Sequence, residues 1–125
     1  MVDLFKALSD ENRLRILNLL NLQELCVCEI ETILDITQSN TSRHLTKLKG
    51  AGIITSYKDA QWVHYKVSDE FIMAHKSLFD YLVIKMADHQ LMMEDKRKLE
   101  KYNELGLTCT DIRQEPAHVV QLIGR

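Results

Sequence analysis

Proline occurs once in the 125 residues, at Pro116, so the backbone is free to be helical almost throughout. The apolar residues follow that freedom. Leu4, Phe5 and Leu8 mark a short helix face, after which Ser9 and Asp10 offer an N-cap. Leu14, Leu17 and Leu20 follow at helical spacing, with Ile16 and Leu19 widening the stripe. A third helix is predicted from about Val27 to Leu34. Thr37 and Ser39 can cap a fourth, which runs to Lys49 with Leu45 and Leu48 inward. Gly50-Ala51-Gly52 ends it, because glycine tolerates the left-handed turn at a helix end.

The period then changes. Ile53 to Lys58 and Trp62 to Val67 are rich in β-branched and aromatic residues, with Asp59 and Ala60 between them. In the second run Val63, Tyr65 and Val67 share one face and Trp62, His64 and Lys66 the other, so the pair reads as a β-hairpin. One long helical stretch is expected from about Glu70 to Leu105, closed by Leu105-Gly106-Leu107, with a weakly ordered end to the chain. Helix, helix, short turn, helix and hairpin is the order of a winged helix-turn-helix, mainly α with a β-hairpin wing. Residues 1–105 are expected to form the DNA-binding and dimerisation domain, and residues 106–125 a C-terminal tail carrying Cys109. The first and last helices carry more apolar surface than a lone small domain hides, which points to a homodimer. Packing of both stripes within one subunit is the alternative.

Charged residues make up 27% and hydrophobic residues 46%, an ordinary globular balance. No apolar run nears the roughly 20 residues that cross a bilayer. The start Met1-Val2-Asp3-Leu4-Phe5-Lys6 is not a signal peptide. A cytoplasmic protein without a membrane partner is therefore expected, with Cys26, Cys28 and Cys109 reduced and suited to metal binding or catalysis. The net charge of −2 hides an uneven distribution. Gln38 to Lys66 holds Arg43, Lys47, Lys49, Lys58 and Lys66 against Asp59 alone, whereas Glu24 to Asp35 holds acids and no basic residue. Local charge sets the potential that a phosphate backbone meets.

The fourth helix opens on Thr37-Gln38-Ser39-Asn40-Thr41-Ser42-Arg43-His44. The first residues of a recognition helix face base edges in the major groove. Gln38 and Asn40 suit adenine edges, and Arg43 suits guanine or phosphate. Ser39, Thr41 and Ser42 suit phosphate, as does the helix N-terminus itself. His44 and Lys47 continue the set along the helix. Lys58 and Gln61 add backbone contacts at the hairpin tip, and Trp62, His64 and Tyr65 read as packing residues. Together these imply a double-stranded DNA operator as partner.

Leu4 to Leu17, then Glu24-Leu25-Cys26-Val27-Cys28-Glu29, then Ser39 to Leu48 and Gln61-Trp62-Val63-His64-Tyr65 closely resemble the ArsR/SmtB family, over roughly residues 3 to 68. The resemblance implies a homodimeric repressor on an inverted-repeat operator of a resistance operon, released by an effector ion. It also implies that Glu24 to Glu29 is the metal-binding box of the arsenic- and cadmium-sensing branches.

The residues carry a parallel argument. Two cysteines two positions apart can present paired soft thiolates. They lie at a helix entry, where the dipole lowers a thiol pKa, while nearby acids act the other way. Residues i and i+2 of a regular helix do not face each other. An ion held by both Cys26 and Cys28 is therefore expected to unwind the start of the third helix and misplace the recognition helix. Arsenite-like ions favour three thiolates. Many arsenic sensors of the family have a third cysteine where this chain has Glu31, which leaves Cys109 to complete the set, from the same or the other subunit. Arsenic(III) or antimony(III) is the leading effector, with cadmium(II) or lead(II) second. His75, Asp88 and His89 read as surface or packing residues. A thiol-redox-responsive repressor is the alternative within the same fold. An enzyme is not expected: no Cys-x-x-Cys, glycine-rich phosphate loop or catalytic carboxylate pair stands out.

Overall fold

The computed structural model describes residues 1–124. Helix α1 (Val2–Leu8) turns into α2 (Glu11–Leu22) through a capped corner. The Asp10 carboxylate accepts the Arg13 amide at 3.1 Å. The Arg13 guanidinium reaches back to the carbonyls of Ala7 (2.6 Å) and Lys6 (3.1 Å) at the end of α1. A two-residue strand β1 (Leu25–Cys26) leads directly into α3 (Val27–Leu34). Asp35, in the left-handed region with φ 55°, ends α3. Thr37 then caps α4 (Gln38–Gly50), its hydroxyl accepting the Asn40 amide at 3.2 Å. Helices α3 and α4 are the helix-turn-helix pair.

Gly52, with φ +77°, makes the left-handed turn expected after α4. The wing is β2 (Ile54–Asp59) and β3 (Trp62–Val67), antiparallel from Ile54↔Val67 to Asp59↔Trp62. Asp59 thus pairs within the ladder, and the tight turn is Ala60-Gln61, one residue later than the sequence suggests. The sheet has a third strand that sequence reading did not foresee. β1 pairs with β3 through Leu25↔Tyr65 and Cys26↔His64, giving the order β1-β3-β2. The result is a winged helix-turn-helix.

The long helix expected over 70–105 is three helices: α5 (Asp69–Ala74), α6 (Lys76–Ala87) and α7 (Gln90–Glu104). The first break, at His75, lets Phe71 meet both the His75 ring (centroids 5.5 Å apart) and, edge-on, Phe79 (6.0 Å). No glycine or proline lies between residues 69 and 105, so tertiary packing makes the break. The weakly ordered end also needs correcting. It forms α8 (Cys109–Gln114) and α9 (Pro116–Ile123), with Cys109, Ile112, Val119 and Ile123 buried. Apolar residues every three or four positions hold both helices against α3, and α9 also against α7.

The core runs from Ile16, Leu17 and Leu19 of α2 through Ile30 and Ile33 of α3 to Leu45 and Leu48 of α4. Each buried side chain of this size contributes about 1.5–3 kcal/mol. A buried ion pair crosses it. The Arg15 guanidinium grips Asp95 of α7 in two bonds of 2.9 Å and also donates to the Leu34 carbonyl at the end of α3. Apolar side chains stay outside: Phe5 of α1, Met73 of α5, and Tyr81 and Ile84 of α6 are exposed. The stripes on the flanking helices are thus split, with Phe71, Phe79 and Met86 inside the subunit. No helix of the described residues is long and apolar enough to cross a membrane.

Candidate functional site

Cys109 meets each cysteine of the box, Cys28 directly and Cys26 within a cluster that also holds Glu29 but not Cys28. Cys26 is the N-cap of α3 with extended backbone (φ −79°, ψ 161°), and α3 begins only at Val27. The two box cysteines therefore straddle the helix start, one held by the sheet and one by the first turn. Cys109 opens α8. Its sulfur is 2.9 Å from the Cys28 sulfur. It also shares a cluster with Cys26 Sγ and a Glu29 carboxylate oxygen, all within 4.8 Å of one another. Cys109 thus approaches both box cysteines within one subunit, and all three cysteines are free thiols.

The surroundings keep these thiols protonated. Burial pushes Cys26 up to about 11, with the Glu29 charge adding to it and a bond from Cys109 opposing. Burial is also the main cause of the upward shifts of Cys28 and Cys109. The lowering expected for Cys26 and Cys28 at a helix entry is not found: desolvation is the largest cause and raises both, and the Glu29 charge adds to it. Glu29 closes the predicted box but was not singled out as a site residue in the sequence. Its carboxylate accepts the Cys26 amide at 2.9 Å and the Tyr102 hydroxyl at 2.6 Å. Burial, then Glu29, drives the Tyr102 pKa upward, so the phenol stays a donor. The signal for Glu29 was its place three residues into a helix whose cap is Cys26. Nothing in the sequence pointed to Tyr102. Glu31 has a buried carboxylate oxygen without a hydrogen-bond partner among the described residues, and burial raises its pKa.

A set of three soft thiolates suits a thiophilic ion. Cys26, Cys28 and Cys109 would hold it. The Glu29 oxygen is the only hard donor in the clustered group, and its existing bonds tie it to the helix start.

The second region is the outer face of α4. Gln38, Ser39, Asn40, Ser42, Arg43 and Lys47 are exposed along it, and Lys58 and Gln61 are exposed at the wing end. Arg43 donates to the Asn40 side-chain carbonyl at 3.1 Å, which aligns the two on one face. Two residues expected here turn inward. Thr41 is fully buried, its hydroxyl donating to the Thr37 carbonyl at 2.8 Å. His44 is 3% exposed, with Nδ1 3.3 Å from Arg13 and Nε2 3.9 Å from Asp10. Burial above all lowers the His44 pKa, against Asp10 and aided by Arg13 and Arg43, so the ring is neutral. Both positions lie on the stripe of Leu45 and Leu48, which explains their orientation. They hold α4 in place. Lys49 joins α4 to the wing by donating to Ser56 Oγ at 2.7 Å.

Known proteins match this arrangement. The family of bacterial regulatory proteins termed arsR matches residues 10–56. The arsenical resistance operon repressor of Escherichia coli (strain K12) is 48% identical over 68 residues, which is 54% of this chain and 58% of that protein. The cadmium resistance transcriptional regulatory protein CadC of Listeria innocua serovar 6a is 47% identical over 66 residues, 52% of this chain and 56% of that one. The matched stretch thus spans little more than half the length of those relatives. The structure of reduced HlyU from Vibrio cholerae N16961 superposes with a TM-score of 0.56 at 38% identity, covering 65% of this chain and 85% of that one. On the helix-turn-helix, the wing and these similarities, the chain belongs to the arsR family of bacterial regulatory proteins.

Proposed function

We propose that this chain is a homodimeric repressor that binds operator DNA through α4 and the wing and releases it when arsenic(III) or antimony(III) is captured by Cys26, Cys28 and Cys109. Residues 1–105 carry DNA binding and dimerisation, and residues 106–125 carry the third ligand. The observation behind the effector assignment is the approach of Cys109 to both box cysteines within one subunit. It restores a three-sulfur set although Glu31 stands where many sensors of the family have their third cysteine. The repressor reading is supported by the polar and basic face of α4 and by the similarity to the arsenical resistance operon repressor of Escherichia coli.

The protonated thiols favour arsenite. Arsenous acid and three thiols give a tris-thiolate and three waters, so each thiol proton leaves on a hydroxide that arsenic brought. A divalent cation brings no such base and has to expel the protons into solvent. Cadmium(II) or lead(II) is the second reading. It is supported by the Glu29 oxygen beside the Cys26 and Cys109 sulfurs and by the similarity to the cadmium resistance regulatory protein of Listeria innocua.

The test is operator binding, followed by fluorescence anisotropy under a phosphine reductant. Arsenite releases the wild-type protein, and Cys26→Ser or Cys28→Ser stays bound. If either variant is released as readily as wild type, the ion assignment fails. Release by peroxide once the reductant is removed, with no release by arsenite, would make the protein a redox sensor instead.

A further inference from the structure

The wing is fastened to the thiol pocket at more than one point. Along β3, Trp62 and His64 are two residues apart and so project from the same face of the strand. His64 Nδ1 lies 3.4 Å from Cys26 Sγ, directly across the β1–β3 ladder. On its other side the imidazole stacks on Tyr57 of β2, with centroids 5.1 Å apart and planes inclined by 17°. Trp62 is covered by Arg113 of α8, whose guanidinium carbon sits 5.4 Å from the ring centroid. Arg113 is one turn beyond Cys109 on that short helix. Each tether therefore leads from a cysteine-bearing element to β3: Cys26 through His64, and Cys109 through α8, Arg113 and Trp62.

This arrangement gives the pocket a mechanical outlet. To bind one small ion, the sulfurs of Cys26 and Cys109 have to settle at bonding distance from a common centre. Cys26 cannot shift without disturbing its contact with His64 and the β1 ladder. Cys109 cannot shift without carrying Arg113 across the Trp62 ring. Both displacements reach the wing directly, without passing through α3 to the recognition helix.

We propose that the wing is the element that reports ion occupancy to DNA, with His64 and Arg113 as the positioning residues that couple it to the pocket. The inference rests on the reading of the three cysteines as the effector site and of the wing as a DNA contact. It adds the path between them, and it differs from the unwinding of α3 expected from the cysteine spacing. Neither His64 nor Arg113 is assigned to the ion or to the operator.

The chain supplies its own reporter, since Trp62 is its single tryptophan. The experiment titrates the reduced, full-length protein with arsenite and follows sulfur-to-arsenic ultraviolet absorption, Trp62 emission and operator affinity in parallel. In wild type, Trp62 emission changes with the same midpoint as the absorption, and operator affinity falls by roughly 5–150-fold, the usual span of such couplings. His64→Ala and Arg113→Ala each keep the absorption change and ion-free operator affinity. The His64→Ala/Arg113→Ala pair brings the ratio of ion-free to ion-loaded affinity close to one. His64→Asn, which returns a polar atom to the Nδ1 position, recovers most of the coupling; a purely structural role for the ring would not give that recovery. The proposal is overturned if Trp62 emission stays constant while the absorption saturates, or if the paired variant keeps the wild-type ratio. Absence of any sulfur-to-arsenic absorption in wild type would instead strike down the ion site, and this inference with it.

Discussion

Burial pushes the Cys26 thiol up to about 11 and raises Cys28 and Cys109 as well, so at neutral pH an incoming ion meets three thiols that carry their protons. The direction fixes a pH dependence. A thiol with a raised pKa stays protonated below it, so a cation that must displace the proton binds more tightly as pH rises. Cadmium affinity should climb between pH 6 and 8 by up to about tenfold per pH unit for each proton displaced. Arsenite affinity, with proton uptake and release balanced, should stay nearly level. Competition titrations at three pH values check this, and a steep arsenite profile would contradict the protonated pocket. At this scale Cys26 and Cys28 stood out by their spacing, and Cys109 entered as the one remaining thiol to complete the set, with its subunit left open. Tyr102 was invisible because its partner Glu29 is 73 residues away in the chain. No local pattern encodes such a contact.

Among the elements, the caps were the legible part. Thr37 sits where the sequence placed it, before the exposed face of α4, and its hydroxyl and carbonyl both bond into the first turn. Thr37→Ala should lower stability by about 1 kcal/mol. It should also weaken operator binding, because the same turn aims Gln38, Ser39 and Asn40. Denaturant unfolding and anisotropy on one preparation measure the two effects. The helices at the end of the chain carried signals of the same kind. Thr108 and Asp111 bond reciprocally, with the Thr108 amide donating to the Asp111 carboxylate at 2.8 Å, and Pro116 opens α9. The break at His75 and the two-residue strand β1 had none. The break follows from aromatic packing of Phe71, and β1 is too short to show an alternation.

Across the whole molecule, α2 is the axis and Arg15 its fixed point. Asp95→Asn would leave the Arg15 guanidinium buried without its counter-charge and should cost about 3–5 kcal/mol. The readout is the shift in denaturant midpoint. The exposed Phe5, Tyr81 and Ile84 belong to the subunit interface under the dimer proposal. A Tyr81→Glu/Ile84→Glu variant should sediment as a monomer and lose most of its operator affinity, while a stable dimer would move the interface elsewhere. The winged architecture and the division into reading helix and thiol box were legible because they are local patterns. The docking of α8 against α3 was not, since it depends on a chain reversal after Gly106, where φ is +65°.

The most direct measurement compares arsenite-driven operator release in wild type and Cys109→Ser, both reduced and both shown to bind operator equally without the ion. If the three sulfurs form one site within a subunit, wild type lets go of DNA and Cys109→Ser stays bound at arsenite concentrations that empty the wild-type complex. Equal release by the two proteins would contradict it.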